Sequence, residues 1–148
     1  MSKKKAPKRG KKKRKKKQRV LLSDYSILTT ITIQAGNEIV DPEPLVGLPK
    51  GPIAWIIDNE DSDPHDVSID PLAFKNKKSG KKQNPLTKST VLSTSVSGNG
   101  GRGLLFAILK GGLTNVSFKY AIASTNGDGT SNQLDPDLDV IDPNSRPA

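Results

Sequence analysis

The stretch "NVSFKYAIASTNGDG", residues 115–129, decides the fold class of this chain. Apolar side chains occupy every second position of its first part, at Val116, Phe118, Tyr120 and Ile122, and Lys119 is among the polar residues between them. A period of two is typical of a strand with one buried face. The "NGDG" at residues 126–129 is a strong hairpin-turn signal, which we place between the last two strands.

Six further short segments have β-rich composition or end at turn residues. They are "ILTTITI" (27–33), "PIAWIID" (52–58), "DVSI" (66–69), "TVLSTSVS" (90–97), "LLFAIL" (104–109) and "LDVID" (138–142). No segment shows a sustained period of 3.6 residues, and residues 41–52, with four prolines, are expected to run as a stiff, edge-like lead-in. The chain is therefore predicted to be all-β, a sandwich of about seven strands.

The first nineteen residues differ in composition from the rest of the chain. They hold ten lysines, three arginines and no acid, whereas the remaining 129 residues hold 11 bases and 15 acids. Such a segment has almost no apolar surface to offset chain entropy, and its like charges repel one another. We predict a disordered polybasic arm over residues 1–19 and a folded domain over residues 20–148 with a short acidic C-terminal tail.

Composition also excludes several classes of function. The chain has no cysteine, which excludes disulfides, thiol catalysis, Fe–S clusters and cysteine-ligated zinc. Only Val20, Leu21 and Leu22 follow the basic run before Ser23, too few for a secretion signal, and no stretch reaches the length of a membrane span. We expect a soluble, cytoplasmic protein with no membrane partner. A nucleoid-associated or nuclear location is the alternative, because the lysine-rich run would serve as an import signal in a eukaryotic cell.

Two longer pieces give the chain a family resemblance. They read "DPEPLVGLPKGPIAWIIDNEDSDPHDVSID" and "VSFKYAIASTNGDGTSNQLDPDLDVIDP", and together they cover most of residues 39–143. Their order resembles that of small bacterial cupredoxin-like domains, which implies a Greek-key β-sandwich and says little about activity. His65 matches the first copper-ligand position of that family. The chain has no cysteine, no second histidine and no methionine beyond Met1, so a blue-copper site is chemically impossible.

Three local patterns carry weaker chemical signals. "DNEDSDPHD" (58–66) fails the EF-hand spacing and is interpreted as a solvated acidic turn with His65 at the surface. "GNGGRG" (98–103) satisfies G-x-G-x-x-G, but no helix follows it, so it is interpreted as a turn between strands. No nucleophile elbow supplies a serine for His65, and Trp55 and Phe118 are expected in the core rather than on a stacking platform. We predict no enzyme activity, no catalytic residues, no bound metal and no cofactor.

The polybasic arm is the predicted binding element, and its partner is nucleic acid (DNA or RNA) or another polyanion. Its binding residues are Lys3, Lys4, Lys5, Lys8, Arg9, Lys11, Lys12, Lys13, Arg14, Lys15, Lys16, Lys17 and Arg19. The segment "KNKKSGKKQNP" (75–85) forms a predicted second basic patch with Lys75, Lys77, Lys78, Lys81 and Lys82. Lysine outnumbers arginine in the arm, which favours contact with phosphate over recognition of bases.

Two other interpretations remain open from the residues alone. A basic arm on a β-sandwich is also typical of small viral coat subunits that package nucleic acid. A module that binds a protein partner, or a second copy of itself, through the sandwich is the third hypothesis, in which the arm only docks on acidic surfaces.

Overall fold

The computed structural model describes residues 27–35 and 37–142. The predicted disordered arm, residues 1–19, and the last six residues of the predicted acidic tail lie outside this part of the chain. The described residues form strands and one 3₁₀ turn, Pro71–Ala73, with no α-helix among them, which confirms the all-β prediction. The strands are β1 (Leu28–Gln34), β2 (Asn37–Asp41), β3 (Leu45–Gly47), β4 (Pro52–Asn59), β5 (His65–Ile69), β6 (Lys75–Asn76), β7 (Leu92–Val96), β8 (Gly101–Ile108), β9 (Val116–Lys119), β10 (Ile122–Asn126), β11 (Ser131–Leu134) and β12 (Asp137–Val140).

Sheet I is one layer of the molecule, with the strand order β2-β1-β4-β8. Strands β1 and β4 are parallel, and β2 and β8 pair antiparallel with them. In β4, Ile53, Trp55 and Ile57 are buried and the side chains between them are more exposed. Because successive side chains of a strand point to opposite faces, sheet I has an inner face in the core and an outer face toward solvent.

Two shorter sheets form the second layer, and two pairs of strands run from one sheet directly into the other. Sheet II has the order β11-β10-β5-β7 and sheet III the order β3-β12-β9-β6. Only Tyr120 and Ala121 separate β9 from β10, and only Asp135 and Pro136 separate β11 from β12. The Tyr120 N–H donates to the Pro136 carbonyl at 3.1 Å, so the pairing of the two chain segments carries on across the junction.

Aromatic side chains hold the two layers together. Trp55 of sheet I donates its Nε1–H to the Tyr120 hydroxyl at 2.9 Å. The Tyr120 ring stacks on Phe74 with centroids 4.8 Å apart, and Phe74 meets Phe118 edge-on. All four rings are buried, so the layers form a β-sandwich-like core. Truncating such a ring, as in Trp55→Ala, typically costs about 3–5 kcal/mol.

Each of the seven predicted strands has a counterpart in the structure. The predicted strand 115–124 is divided into β9 and β10 by the junction at residues 120–121. Four strands of two to five residues were not predicted, namely β2, β3, β6 and β11. They are short or polar, so their pairing partners rather than their own apolar pattern define them.

The predicted turns and connections are largely confirmed. The proline-rich stretch 41–52 contains β3, an edge strand of sheet III. The "NGDG" turn closes a hairpin in which the Asn126 N–H donates to the Thr130 carbonyl at 2.7 Å, and Gly129 has φ 95°, which favours glycine. This hairpin joins β10 to the unpredicted strand β11 rather than to β12. Residues 97–100 form a turn that leads into strand β8, and no helix follows it.

Candidate nucleic-acid interface

The predicted binding residues fall into two groups. The thirteen cationic side chains of the arm, from Lys3 to Arg19, lie outside the described residues. The five lysines of the second patch are described, and all five are exposed. The described part of the candidate interface therefore consists of residues 75–82 and the residues packed beside them.

These lysines lie on an ordered hairpin, residues 74–83, which we call the lysine hairpin. The Asn76 N–H donates to the Lys81 carbonyl, and the Gln83 N–H donates to the Phe74 carbonyl, each at 2.9 Å. The Asn76 side chain accepts the backbone N–H two residues on at 2.9 Å, a turn that asparagine favours. Gly80 completes the turn with φ 72°. The backbone is thus held locally, and all five lysine residues are exposed.

Strand register places three lysines side by side, and we call Lys82, Lys75 and Lys119 the lysine row. Lys75 of β6 lies opposite Lys119 of β9, and an isolated bridge pairs Lys75 with Lys82. Directly opposite residues share one face of a sheet, and neighbouring strands are about 4.8 Å apart. Like charges in this position destabilise a sheet, so the row favours an anion that would neutralise it.

Lys119 was not predicted as a site residue. The alternation of residues 115–124 places it on the outward face of its strand, but the sequence separates it from Lys75 by more than forty residues. Only the pairing of β6 with β9 brings the two together. A local sequence signal for this contact does not exist, because strand register between distant segments is set by tertiary packing.

Asp137 neutralises part of this basic surface. Its carboxylate lies 3.0 Å from the Lys77 Nζ and 2.8 Å from the Lys119 Nζ, and Lys119 also donates to the Asp135 carbonyl at 3.0 Å. The hydrogen bond from Lys119, followed by that from Lys77, holds the pKa of Asp137 below its ordinary value, and the same carboxylate raises the pKa of Lys119. No residue of the described part forms an ion pair with the four remaining lysines of the candidate interface: Lys75, Lys78, Lys81 and Lys82.

Two surface clefts flank the lysine hairpin. One of about 410 Å³ is lined by the lysine row together with Tyr120, Gln133 and Asp135. The other, of about 460 Å³, lies against Lys77 and Lys78 and the strand β9. Concave surfaces lined by cations concentrate anions more strongly than a flat surface with the same charges.

Aromatic side chains contribute no base-stacking surface at these clefts. Tyr120 lines the cleft of about 410 Å³ but is 2% exposed, and its burial raises its pKa well above the ordinary value. Trp55 and Phe118 are core residues, which confirms the prediction for both. Among the described rings only Phe106 is exposed, and it lies on β8 of the other layer. Recognition at the lysine hairpin therefore rests on charge.

The predicted surface position of His65 is wrong. The side chain is buried at the start of β5, where its Nε2 is 2.9 Å from the Asp61 carboxylate and its Nδ1 is 3.0 Å from the Ser124 hydroxyl. Ser124 lies 59 residues away on β10, next to β5 in sheet II. The acidic sequence around His65 could not indicate Ser124, because Ser124 belongs to a distant strand. Its hydrogen bond to the imidazole reduces the free-energy cost of burying the ring.

The order Ser124, His65, Asp61 matches the chemical order of a catalytic triad, but the surroundings differ from those of one. Since a carboxylate only accepts, Nε2 carries a proton and donates to Asp61, while Nδ1 lies within hydrogen-bond distance of the Ser124 hydroxyl. Ser124 is 1% exposed, so its hydroxyl has no approach for a substrate carbonyl. The hydrogen bond from His65 lowers the pKa of Asp61. The geometry is that of a buried polar network which joins the loop after β4 to sheet II.

The described residues contain neither a cluster of metal-ligating side chains nor a membrane-spanning helix. Across residues 27–35 and 37–142, no group of three or more His, Cys, Asp or Glu side chains comes together as a cation site. The same part of the chain contains no helix with the length and hydropathy of a transmembrane span.

Comparison of the sequence with protein-family models gives no match. Comparison with curated proteins gives no match either.

Proposed function

We propose that this protein binds nucleic acid, or another polyanion, without enzymatic activity and without recognition of base sequence. The arm from Lys3 to Arg19 is the main binding element, and the lysine hairpin adds a second, smaller contact from the folded body. The observation that carries the proposal is the lysine row. The fold places three cations opposite one another on neighbouring strands, where they repel, and a bound anion would relieve that repulsion.

The charge distribution supports a main contact through the arm and a smaller one through the lysine hairpin. The arm contributes thirteen positive charges, whereas the remaining residues carry a small excess of acids. A phosphate backbone condenses counterions, and each lysine that replaces one releases it to bulk solvent, which drives binding without reading bases. The acidic excess of the body keeps its other surfaces from competing for phosphate, so contact is confined to the arm and the hairpin.

We also propose a cupredoxin-like, Greek-key topology for the body, without copper. Two parallel pairs, β1 with β4 and β3 with β12, within otherwise antiparallel sheets are compatible with it. The residues present do not fit a copper ion. Asp61 and Ser124 engage both ring nitrogens of His65, and the chain offers no thiolate and no second imidazole.

The test is direct binding of the full chain to labelled oligonucleotides of unrelated sequence, single-stranded and duplex, at low salt. We expect dissociation constants within a few-fold of one another for all sequences of equal length, and displacement by heparin. A matched chain with the arm's cations replaced by glutamine serves as the control. A hundredfold preference for one sequence, or undiminished binding by the control chain, would rule the proposal out.

A further inference from the structure

The outer face of sheet I carries an uncovered apolar surface. Register places Leu28 of β1 beside Ala54 of β4 and Phe106 of β8, and the next row brings Ile56 beside Leu104. These residues alternate with buried ones, so their side chains all point away from the core. We call the set the apolar face: Leu28, Ala54, Ile56, Leu104, Phe106 and Ile108.

Several of these side chains are unusually exposed for apolar residues. Leu104 is 58% exposed, Phe106 55%, Leu28 45% and Ile108 37%. They are contiguous rather than scattered, and contiguous apolar surface is typical of a site that something covers. Four such side chains offer on the order of 400 Å², about half of what one protomer contributes to a stable dimer.

The apolar face lies at the end of sheet I where the preceding chain enters. The Ala54 N–H donates to the Ile27 carbonyl at 2.9 Å, so the first described residue is hydrogen-bonded within this face. Toward the opposite end of the sheet the outer face becomes mostly polar: Thr32 lies beside Asp58, and Asp58 is 3.9 Å from Arg102. The apolar side chain of that row is Ile39, opposite Thr32 on the edge strand β2. The apolar side chains are thus concentrated at the end of sheet I where the chain enters β1.

Those preceding residues have the composition that such a face requires. Within residues 1–26 the apolar side chains larger than alanine, apart from Met1 and Pro7, are Val20, Leu21, Leu22 and Tyr25. Six extended residues span roughly 20 Å. From Leu28 to Phe106 the distance is two strand spacings, roughly 10 Å. Leu21 can therefore reach Phe106 while the chain stays attached at Ile27.

We propose that residues 20–26 fold back over the apolar face, with Val20, Leu21 and Leu22 packed against Leu104 and Phe106. Covalent attachment makes this contact intramolecular, which gives it a high effective concentration that a second copy lacks. The arm then leaves the body from a defined point above sheet I. The proposal does not depend on what the arm binds.

The absence of native cysteine allows a clean cross-linking test. In the full chain, Leu21→Cys is combined with Phe106→Cys, and mild oxidation at low protein concentration is followed by free-thiol titration and non-reducing electrophoresis. We expect an intramolecular disulfide, seen as loss of both thiols at unchanged mass. The matched control combines Leu21→Cys with Ser131→Cys, because Ser131 is exposed on β11, the edge strand of sheet II in the other layer.

Each other result overturns the proposal in a distinct way. Doubling of the mass would assign the apolar face to a second copy of the chain. Retention of free thiols in the Phe106 pair, or equal oxidation in both pairs, would show that residues 20–26 do not pack there.

A thermal melt gives a second, independent measurement. Leu21→Ser with Leu22→Ser in the full chain is expected to lower the melting temperature by about 3–6 °C, the shift that a modest loss of stability causes in a domain of this size. In a Phe106→Ser background the same pair of substitutions should lower it by less than half as much. Equal losses in the two backgrounds would show that the two regions are not in contact.

Discussion

The two lysine-rich stretches of this chain, residues 3–19 and 75–82, differ in what accompanies their charges. The first has thirteen cations, no acid and hardly any apolar residue. The second has five cations within eight residues, next to buried Phe74 and with Asn76 at its turn. The second stretch is therefore held on a folded hairpin and meets Asp137 and Lys119 from distant strands.

The two stretches therefore differ in kind: residues 3–19 supply a large number of charges, and residues 75–82 supply a few charges at fixed positions. Many charges in one stretch give strong, salt-sensitive attraction for any polyanion, whatever the fold does. Few charges at fixed positions give a smaller contribution that depends on register and on acids nearby. Four predictions test this distinction, from the largest expected effect to the smallest.

Neutralising the arm should have the largest effect. With about eight of its charges engaged, the slope of log K against log salt is expected at roughly −6 to −7, so a fourfold rise in salt weakens binding by nearly four decades. Replacing residues 11–17 with glutamine should remove about four contacts and reduce the slope to about −3. A salt titration with a labelled oligonucleotide measures this. Changing the lysines among them to arginine is the charge-preserving control, and an unchanged slope in the glutamine chain would contradict the assignment.

Neutralising the lysine row should have a smaller effect. In the arm-neutralised chain, Lys75→Gln with Lys82→Gln is expected to reduce the remaining salt slope by about 1.5–2, because each phosphate contact contributes about 0.7–0.9. Lys88→Gln with Lys110→Gln changes the charge equally at exposed positions outside the hairpin. Equal changes for both pairs would mean that net charge alone matters and that placement contributes nothing.

Removing the acid that neutralises the hairpin should strengthen binding modestly. Asp137→Asn releases Lys77 and Lys119 from their ion pairs. We expect an affinity increase of about two- to fivefold at moderate salt, the scale of an exposed ion pair. Glu60→Gln, an exposed acid with the same change of charge, is the control and should have less effect. Equal gains in affinity for both variants would show that the ion pairs of Asp137 with Lys77 and Lys119 do not weaken binding.

The stability contribution of Asp137 should depend on pH in one direction. Its folded-state pKa lies below the ordinary 3.8, chiefly through the hydrogen bond from Lys119. A carboxyl with a depressed folded pKa stabilises the fold above its unfolded pKa and loses this contribution as pH falls through the folded pKa. Melting curves of wild type and Asp137→Asn should differ slightly at pH 7 and converge below about pH 4. A difference in melting temperature that grows as the pH falls would contradict a lowered folded-state pKa for Asp137.

Much of the fold, and part of the candidate site, could be predicted from local pattern. Alternation in residues 115–124 indicated a strand with Phe118 and Tyr120 buried, and both are in the core. The lysines of 75–82 were predicted as an exposed patch because a run of charges with Asn and Gly favours a surface turn. His65 was misplaced, because its burial depends on Ser124, contributed by a strand 59 residues away.

By itself the sequence determined the all-β class, seven strand positions and the separation of a basic stretch from a mildly acidic body. These follow from period, composition and turn residues, which are local properties of the chain. The tertiary structure alone decided that Lys119 joins Lys75 and Lys82, that Asp137 neutralises Lys77, and that the apolar face lies where the preceding residues enter. Such contacts depend on register between distant strands, and register is set by how the buried faces of all strands pack together.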